Sequence, residues 1–461
     1  MSRSLETFQP ARNEHVTMYA CGPTIYDFAH IGNWRAFVFY DLVKRYLTYR
    51  GYGVYHVMNI TDVDDKIIRK CMVEKKTIAE FTTPFLDAFL ADSQKLRILP
   101  PNVLSKATEH IDDMVELIQK LKAKGLAYTA ADNSTYFSIE KFPPYGELAH
   151  LDKKGLKPGA RVNQDEYEKQ SVADFALWKA FVPEDGQVYW DTPLGKGRPG
   201  WHIECSAMAI KYLGESIDMH LGGVDLVFPH HQNEIAQSEG ASGKTFSKYW
   251  LHCNHLLING EKMSKSKGNF FTLRDLEKNV SPIAVRFVLL NANYRQSLNF
   301  TLETARTAEN TLARINDWIS RLQKADGIHT GGQVDEWMSI AKRDFESALD
   351  NDLNTPNAFA ALFEFMKKTN GALDETKISR DEAKRIFAFL HKIDSVLGIM
   401  DFEQKKDELS AEEKALIDKR SELKAQKKWK EADAVRDHLA QKGILLLDTK
   451  DGVTWKRQSK K

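Results

Sequence analysis

The sequence predicts an α/β protein in which a Rossmann-type parallel-sheet domain, split by an insertion, is followed by an α-helical bundle and a small α+β C-terminal domain. Three observations lead to this fold class. Residues 15–61 follow a strand–helix–strand pattern, residues 100–200 are less regular, and the chain from Pro282 onward repeats apolar residues at helical spacing. With 461 residues, the chain is long enough for roughly two to four domains.

The first sheet unit is predicted from residues 15–61. The apolar run HVTMYAC indicates a strand, a helix is expected from about Ile31 to Arg50, and GVYHVMNIT indicates a second strand. In a parallel sheet of this kind, ligands bind beyond the carboxyl ends of the strands. Cys21 and Thr61 would both lie at that edge.

The predicted helix begins with the residues His30-Ile31-Gly32-Asn33. Gly32 would let a ligand approach the backbone, and the free amides of the first helical turn carry a partial positive charge that suits phosphate. His30 and Asn33 can add side-chain donors. An ordinary strand-to-helix turn with a glycine explains the same residues, so both interpretations stand at this point.

Four widely spaced residues form a possible metal-ligand set, namely Cys21, Cys205, His230 and Glu234. Pro229 suits the first position of a helix on which His230 and Glu234, four residues apart, project from one face. Two thiolates, an imidazole and a carboxylate make a tetrahedral zinc set. Spacing alone does not establish a zinc site, because free cysteines are commonly buried and inert.

Two further segments are expected near the same edge of the sheet. The segment DMHLGGVD, residues 218–225, reads as a strand entering a glycine turn, and it would bring His220 and Asp225 there. The run EKMSKSK between Gly260 and Gly268 predicts a mobile, cationic loop. An ordinary solvated surface loop is the alternative.

The remaining sequence is mostly helical. Helices are expected near 282–291, 302–325, 334–350, 356–370 and 380–397, then at about 411–427 and 429–442, and a short hairpin follows around Asp451-Gly452. The pairs Ser379…Glu382 and Ser410…Glu413 match the spacing of a capping box.

Composition limits the classes of function. The net charge is +1, so no global field favours nucleic acid, although residues 411–461 carry a net +5. That basic end fits either a polyanion contact or a solvated terminus. Four scattered cysteines, the absence of an apolar signal core and the absence of a long apolar run predict a reduced, cytoplasmic, non-membrane protein.

Several strings in this order resemble the class I aminoacyl-tRNA synthetases. HIGN stands at a strand-to-helix turn, KMSKS follows about 230 residues later, and a helical bundle comes after both. The strings MYACGPTIYDFAHIGN, NITDVDDKI, RPGWHIECSAM, GGVDLVFPHHQNEIAQ and EKMSKSKGNFFT narrow the resemblance to the cysteinyl-tRNA synthetases. It covers essentially the whole chain, including WKEADAVRDHLAQKGI near the end.

The resemblance implies one Zn²⁺ per chain, held by the four residues named above. His231 is the rival ligand, but the helical spacing and the family pattern favour His230. The signature here ends in Asn33, where the family commonly has histidine. This change weakens the case for an imidazole contact with phosphate but keeps an amide donor.

The resemblance also implies sites for ATP, with Mg²⁺, and for L-cysteine. The ATP contacts would be Thr24, His30, Gly32, Asn33, His220, Asp225, Lys262 and Lys265. Of these, His30, Asn33, Lys262 and Lys265 would act in catalysis. Gly22, Thr61 and Trp201 are candidates for the cysteine pocket, although Trp201 is equally explained as a core aromatic residue.

The implied domains are residues 1–105 and 201–250 for the two halves of the Rossmann catalytic domain, 106–200 for the connective insertion, 251–301 for the KMSKS loop and stem-contact region, 302–402 for a tRNA-binding bundle and 411–461 for an anticodon-binding domain. The implied partner is tRNA(Cys), and a monomer is favoured. Two other functions remain open: a mycothiol-pathway cysteine ligase with an amino-sugar acceptor, and a catalytically silent protein that binds tRNA or zinc.

Overall fold

The structure, a computed structural model, describes residues 4–151, 161–162, 173–263, 268–403, 409–449 and 452–457. The chain divides into two compact units, Met1–Met400 and Asp401–Lys461.

The strands of the first unit are, in chain order, β1 His15–Ala20, β2 Gly53–Ile60, β3 Val103–Lys106, β4 Ala127–Thr129, β5 Thr135–Phe137, β6 Arg161–Val162, β7 Asp174–Ala180, β8 Trp190–Thr192, β9 Gly195–Pro199, β10 Ile217–Gly223, β11 Ser247–Cys253, β12 Leu256–Ile258, β13 Glu261–Lys262 and β14 Leu298–Phe300. Its helices are α1 Ile31–Tyr49, α2 Asp65–Glu74, α3 Ile78–Lys95, α4 Ile111–Ala123, α5 Trp201–Leu213, α6 His230–Ser242, α7 Leu273–Leu276, α8 Pro282–Leu290, α9 Leu302–Gln323, α10 Gln333–Asp350, α11 Thr355–Asp374 and α12 Arg380–Leu397.

The centre of this unit is a five-stranded parallel sheet in the order β11-β10-β1-β2-β3. Parallel strands end at a common edge, so the segments that follow β1, β2 and β10 meet there. The expected strand–helix–strand unit is confirmed, with α1 at Ile31–Tyr49 against a predicted end at Arg50. The helix stops where Gly51 adopts φ 93°, a conformation that glycine accepts readily.

A second sheet lies in the chain between β3 and β10. Its order is β4-β5-β7-β9-β8, with β6 paired in parallel to β7. Because these strands interrupt the parallel sheet in sequence, the two groups of parallel strands come from distant parts of the chain. The predicted insertion, residues 106–200, contains all of them.

The helices from α8 to α12 occupy the ranges expected from apolar periodicity. The predicted ranges differ from the observed ones by at most four residues at any end. The capping box predicted at the start of α12 is present, because the Ser379 side chain accepts from the Glu382 amide and the Glu382 carboxylate accepts from the Ser379 amide at 3.0 Å.

A buried guanidinium fastens the parallel-sheet region to the helices that follow it. Arg286 of α8 is fully buried and contacts Asp41 of α1, with 2.6 Å between Nη2 and Oδ2. Its other nitrogens donate to the carbonyls of Leu397 and Leu96, at 2.8 and 2.9 Å. Helix α1, whose first residues were predicted to bind phosphate, is therefore held by a charge pair that has no access to solvent.

The second unit contains two helices and a hairpin. They are α13 Ala411–Ala425, α14 Trp429–Gln441, and the antiparallel pair β15 Ile444–Thr449 and β16 Gly452–Arg457. The predicted order of helix, helix and hairpin is confirmed, as is the capping box between Ser410 and Glu413. Asp451, in the predicted turn, lies outside the described residues.

Across the part of the chain that the structure describes, no helix has both the length and the apolar character needed to cross a membrane.

Candidate active site

A cleft of about 750 Å³ opens at the carboxyl edge of the parallel sheet. The residues lining it include nine of the predicted site residues: Cys21, Gly22, Thr24, His30, Gly32, Asn33, Trp201, Asp225 and Lys262. Segments from four parts of the chain therefore meet around one cavity. Thr61, Cys205, His220, His230 and Glu234 do not line it and are buried behind its surface.

The predicted metal ligands lie together at the sheet edge. One potential ligand atom from each of Cys21, Cys205, His230 and Glu234 lies within 4.8 Å of the other three, and all four side chains are buried. His230 Nε2 is 3.1 Å from Glu234 Oε1, the geometry expected for residues four apart on α6. Cys21 comes from the end of β1 and Cys205 from α5. The fold therefore brings together ligands whose proximity the spacing along the chain could not establish.

A second arrangement of the same size overlaps the first. Cys21, His220, His231 and Glu234 also place their ligand atoms within 4.8 Å of one another. His231 Nε2 is 4.0 Å from Glu234 Oε1, because residues three apart on a helix share a face nearly as well as residues four apart. It is also 3.3 Å from Cys21 Sγ. The rival histidine identified in the sequence therefore lies within reach of the same position.

The pKa shifts of Cys205 and Glu234 favour negative charge at this position, whereas burial and the neighbouring Cys205 thiol raise the pKa of Cys21. Burial would raise the pKa of Cys205, but a hydrogen bond from Cys21 and the charge of His230 lower it to about 6. Burial would likewise raise the pKa of Glu234, but His220 and His230 lower it to about 2. Ligands must be deprotonated to bind a metal, so these shifts suit a cation. The donor set of sulfur, nitrogen and oxygen fits Zn²⁺.

His220 was predicted to contact ATP, and its position does not support that role. The ring is fully buried, Nε2 is 2.8 Å from Glu234 Oε2, and one face stacks on Trp250 with the ring centres 4.4 Å apart. The reason is the two-residue alternation of a strand: in β10, His220 is in register with Tyr19 of β1, and the two rings lie 5.1 Å apart. His220 thus belongs to the surroundings of the candidate metal ligands.

The start of α1 is built as a reciprocal cap. The Asn33 amide donates to His30 Nδ1 at 3.2 Å, and the Asn33 side-chain oxygen accepts from the His30 amide at 3.1 Å. The Ile31 amide donates to the carbonyl of Phe271. The prediction that the amides of the first turn are free is therefore only partly correct. Among the described residues, no hydrogen-bond acceptor is found for the Gly32 amide.

Lys262 and Met263 bring the base of the KMSKS segment to the same turn. A Cβ atom on Gly32 would lie 2.5 Å from Met263 Cε, so this glycine allows the close approach of the two segments. Lys262 lines the cleft and is exposed. Lys265 lies outside the described residues.

The three residues predicted for the cysteine pocket are placed differently. Trp201 lines the cleft beside the metal ligands, with its ring 4.4 Å from that of His230. The Gly22 amide is bonded to Asn59 Oδ1, and the Thr61 hydroxyl to Glu204 Oε2. Asn59 and Glu204 were not identified from the sequence. The two-residue spacing of Asn59 and Thr61, at the end of a strand, was the available signal.

The architecture and the cleft define the chain as a class I aminoacyl-tRNA synthetase. The family model for the class I (C) tRNA synthetase catalytic domain matches residues 7–310, a DALR domain matches 344–401, and the cysteinyl-tRNA ligase anticodon-binding domain matches 406–455. The methionyl-tRNA synthetase of Mycobacterium tuberculosis, solved with methionyl-adenylate, shares the fold, with a TM-score of 0.62 at 14% identity over 84% of this chain and 90% of that one.

Full-length relatives narrow the assignment. The cysteine–tRNA ligase of Chlamydia felis is 47% identical over 98% of this chain and 95% of its own length. That of Solibacter usitatus is 46% identical over 99% of this chain and 98% of its own. The chain belongs to the cysteine–tRNA ligase family.

Proposed function

We propose that this protein charges tRNA(Cys) with L-cysteine in two steps. The cysteine carboxylate first attacks the α-phosphate of ATP, which forms cysteinyl-adenylate and expels pyrophosphate. The cysteinyl group then passes to a ribose hydroxyl of the 3′-terminal adenosine of the tRNA, releasing AMP. The observation that carries the proposal is one cleft that connects the His30–Asn33 turn to Cys21, the member of the buried Cys/Cys/His/Glu group that lines it, in a member of the cysteine–tRNA ligase family.

Cys21, Cys205, His230 and Glu234 are the residues that would hold Zn²⁺. They supply two sulfur ligands, whereas the overlapping group with His220 and His231 supplies one, and zinc sites with several thiolates are common. Bound zinc would supply a borderline-soft Lewis acid that prefers the thiolate of cysteine to the hydroxyl of serine. Trp201, whose ring lies 4.4 Å from that of His230, would cover the substrate side chain.

A bound metal could provide the selectivity between cysteine and serine that the shape of the pocket alone cannot provide. A pocket gains only about 10–200-fold per methylene-sized difference between substrates, while protein synthesis needs about 10⁴ or more. Cysteine and serine differ by a single atom. Direct selection of the sulfur would make an editing domain unnecessary.

The nucleotide would lie over the start of α1. His30 and Asn33 provide side chains, the Gly32 amide provides a backbone donor, and Thr24 and Asp225 line the same cleft. Lys262 and Lys265 would neutralise the departing pyrophosphate, and Mg²⁺ would accompany the nucleotide. Catalysis would rest mainly on positioning and charge stabilisation.

Asn33→Asp tests the nucleotide position. The substitution keeps an oxygen that can accept from the His30 amide, so α1 stays capped, but it adds a negative charge where phosphate is proposed. Repulsion of roughly 1–4 kcal/mol at about 4 Å would raise the KM for ATP about fivefold or more in cysteine-dependent ATP–pyrophosphate exchange. Asn357→Asp, in the exposed first turn of α11, is the matched control. An unchanged KM in the Asn33 variant would contradict the assignment.

Removing the metal tests the cofactor. The purified chain should contain one zinc ion, and a chelator that strips it should reduce cysteine-dependent exchange by more than about tenfold, since loss of even an outer partner of a metal ligand costs 10–100-fold. Added Zn²⁺ should restore the rate. Full activity without metal would contradict the role given to the four ligands.

Product analysis separates the remaining functions. An amino-sugar ligase would also exchange pyrophosphate but would transfer labelled cysteine to the sugar rather than to tRNA. A silent binding protein would show no exchange. The match of residues 406–455 to an anticodon-binding domain favours tRNA as the acceptor. With this activity, we propose a cytoplasmic monomer that does not bind membranes.

A further inference from the structure

A chain of buried hydrogen bonds links the two segments that carry the cysteine ligands. The Gly22 amide donates to Asn59 Oδ1 at 2.8 Å, Asn59 Nδ2 donates to Thr61 Oγ1 at 3.2 Å, and Thr61 Oγ1 donates to Glu204 Oε2 at 2.9 Å. Asn59, Thr61 and Glu204 are at most 2% exposed. We call Gly22, Asn59, Thr61 and Glu204 together the Glu204 relay.

The relay has a defined direction. The Thr61 hydroxyl donates a hydrogen bond to Glu204 Oε2. The hydroxyl oxygen then accepts from the Asn59 amide nitrogen, and this orients the Asn59 oxygen toward the Gly22 amide. Aligned bonds of this kind polarise and strengthen one another in a low-dielectric interior.

The ends of the relay lie next to the metal ligands in sequence. Gly22 follows Cys21 at the end of β1, and Glu204 precedes Cys205 on α5. A Cβ atom on Gly22 would lie 1.8 Å from the Asn59 carbonyl oxygen, so only glycine allows this backbone contact. The relay therefore connects the residue after Cys21 to the residue before Cys205.

We infer that Glu204, acting through Thr61 and Asn59, is a positioning residue that holds Cys21 and Cys205 at the separation needed to bind the metal and, through it, the substrate sulfur. The inference rests on the proposed zinc function. It gives Gly22 and Thr61 a role besides the substrate contact predicted for them, because the Gly22 amide is bonded to Asn59 and the Thr61 hydroxyl to Glu204.

The relay is expected to pre-organise the metal ligands. Metal affinity depends on groups that orient the ligands, and loss of such a group typically costs 10–100-fold in affinity or activity. Here the relay is bonded to the residue beside each cysteine, at the Gly22 amide and the Glu204 side chain. Its loss should make the positions of the ligands less well defined without removing any ligand. ATP, which is proposed to bind at the start of α1, should be little affected.

The test uses two variants of the full chain, Thr61→Val and Glu204→Ala, with Thr61→Ser as the conservative rescue. Zinc affinity is measured on the purified protein by competition with a chromophoric chelator, and KM and kcat are measured separately for cysteine and for ATP. We expect zinc binding about tenfold or more weaker and a higher KM for cysteine in the first two variants. Thr61→Ser, which keeps the hydroxyl, should retain both values, and the KM for ATP should not change in any of them.

A control separates this role from general stability. Glu382→Gln alters another fully buried carboxylate, one that caps α12 away from the cleft, and it should leave zinc affinity unchanged even where it lowers thermal stability. Zinc affinity within twofold of wild type in Thr61→Val and Glu204→Ala would overturn the inference. Wild-type protein that binds no zinc would instead overturn the zinc proposal on which it rests.

Discussion

Replacing Cys205 by serine should lower cysteine-dependent ATP–pyrophosphate exchange by more than about 100-fold, because loss of even an outer partner of a metal ligand costs 10–100-fold and Cys205 is proposed as a direct ligand. A serine hydroxyl binds zinc far more weakly than a thiolate does. The bound metal measured in the purified variant should fall in parallel. Discrimination between cysteine and serine should be lost with it.

Cys71→Ser is the matched control for that experiment. Cys71 is also a buried, unpaired cysteine, but it lies on α2 and belongs to neither ligand group within the described structure. The same chemical change there should leave metal content and exchange close to wild type. A Cys205→Ser protein that kept its zinc and its preference for cysteine would contradict the assignment of this ligand.

Replacing Arg286 by methionine should destabilise the first unit by about 3–5 kcal/mol, the usual cost of removing one partner of a buried ion pair. Methionine fills much of the space but leaves Asp41 without its contact from α8 and leaves the carbonyls of Leu96 and Leu397 without a donor. The midpoint of urea unfolding, followed by tryptophan fluorescence, is the measurement. An unchanged slope of the transition would show that stability, rather than the extent of unfolding, has changed.

An exposed pair provides the comparison for Arg286. Arg295 contacts Asp352 with a guanidinium side chain that is 58% exposed, and such surface pairs contribute about 0–1 kcal/mol. Arg295→Met should therefore shift the midpoint much less than Arg286→Met. Equal shifts would mean that burial does not determine the strength of the Arg286 contact.

The elements and the chemistry of the ligands could be predicted from local patterns. Apolar periodicity placed α1 and the helices α8 to α12 to within a few residues, because a helix that buries one face repeats its apolar residues along the chain. The four-residue spacing of His230 and Glu234 predicted a shared face, which the 3.1 Å contact confirms. The same spacing was used to favour His230 over His231, but residues three apart also share a face, and His231 Nε2 lies 4.0 Å from Glu234 Oε1.

The hydrogen-bond partners of single polar groups were harder to predict, because many of them lie far away in sequence. The family resemblance implied an ATP contact for His220, but in the structure His220 of β10 bonds to Glu234 of α6. Gly22 and Thr61 lie at the predicted edge, and there the Gly22 amide is bonded to Asn59 and the Thr61 hydroxyl to Glu204. In the α1 turn, the Ile31 amide is bonded to the distant Phe271 carbonyl, while the Asn33 amide is bonded to its local cap, His30.

By itself, the sequence determined which segments form strands and helices, which ligand chemistries are present and which family they resemble, because these follow from residue type and short-range spacing. Only the tertiary structure decided that Cys21, Cys205, His230 and Glu234 meet, and that a second group of ligands overlaps them. It also decided which donors and acceptors near the cleft are already paired. Hydrogen bonds and metal ligation act over a few ångströms, and the chain brings residues about 200 positions apart within that range only by folding.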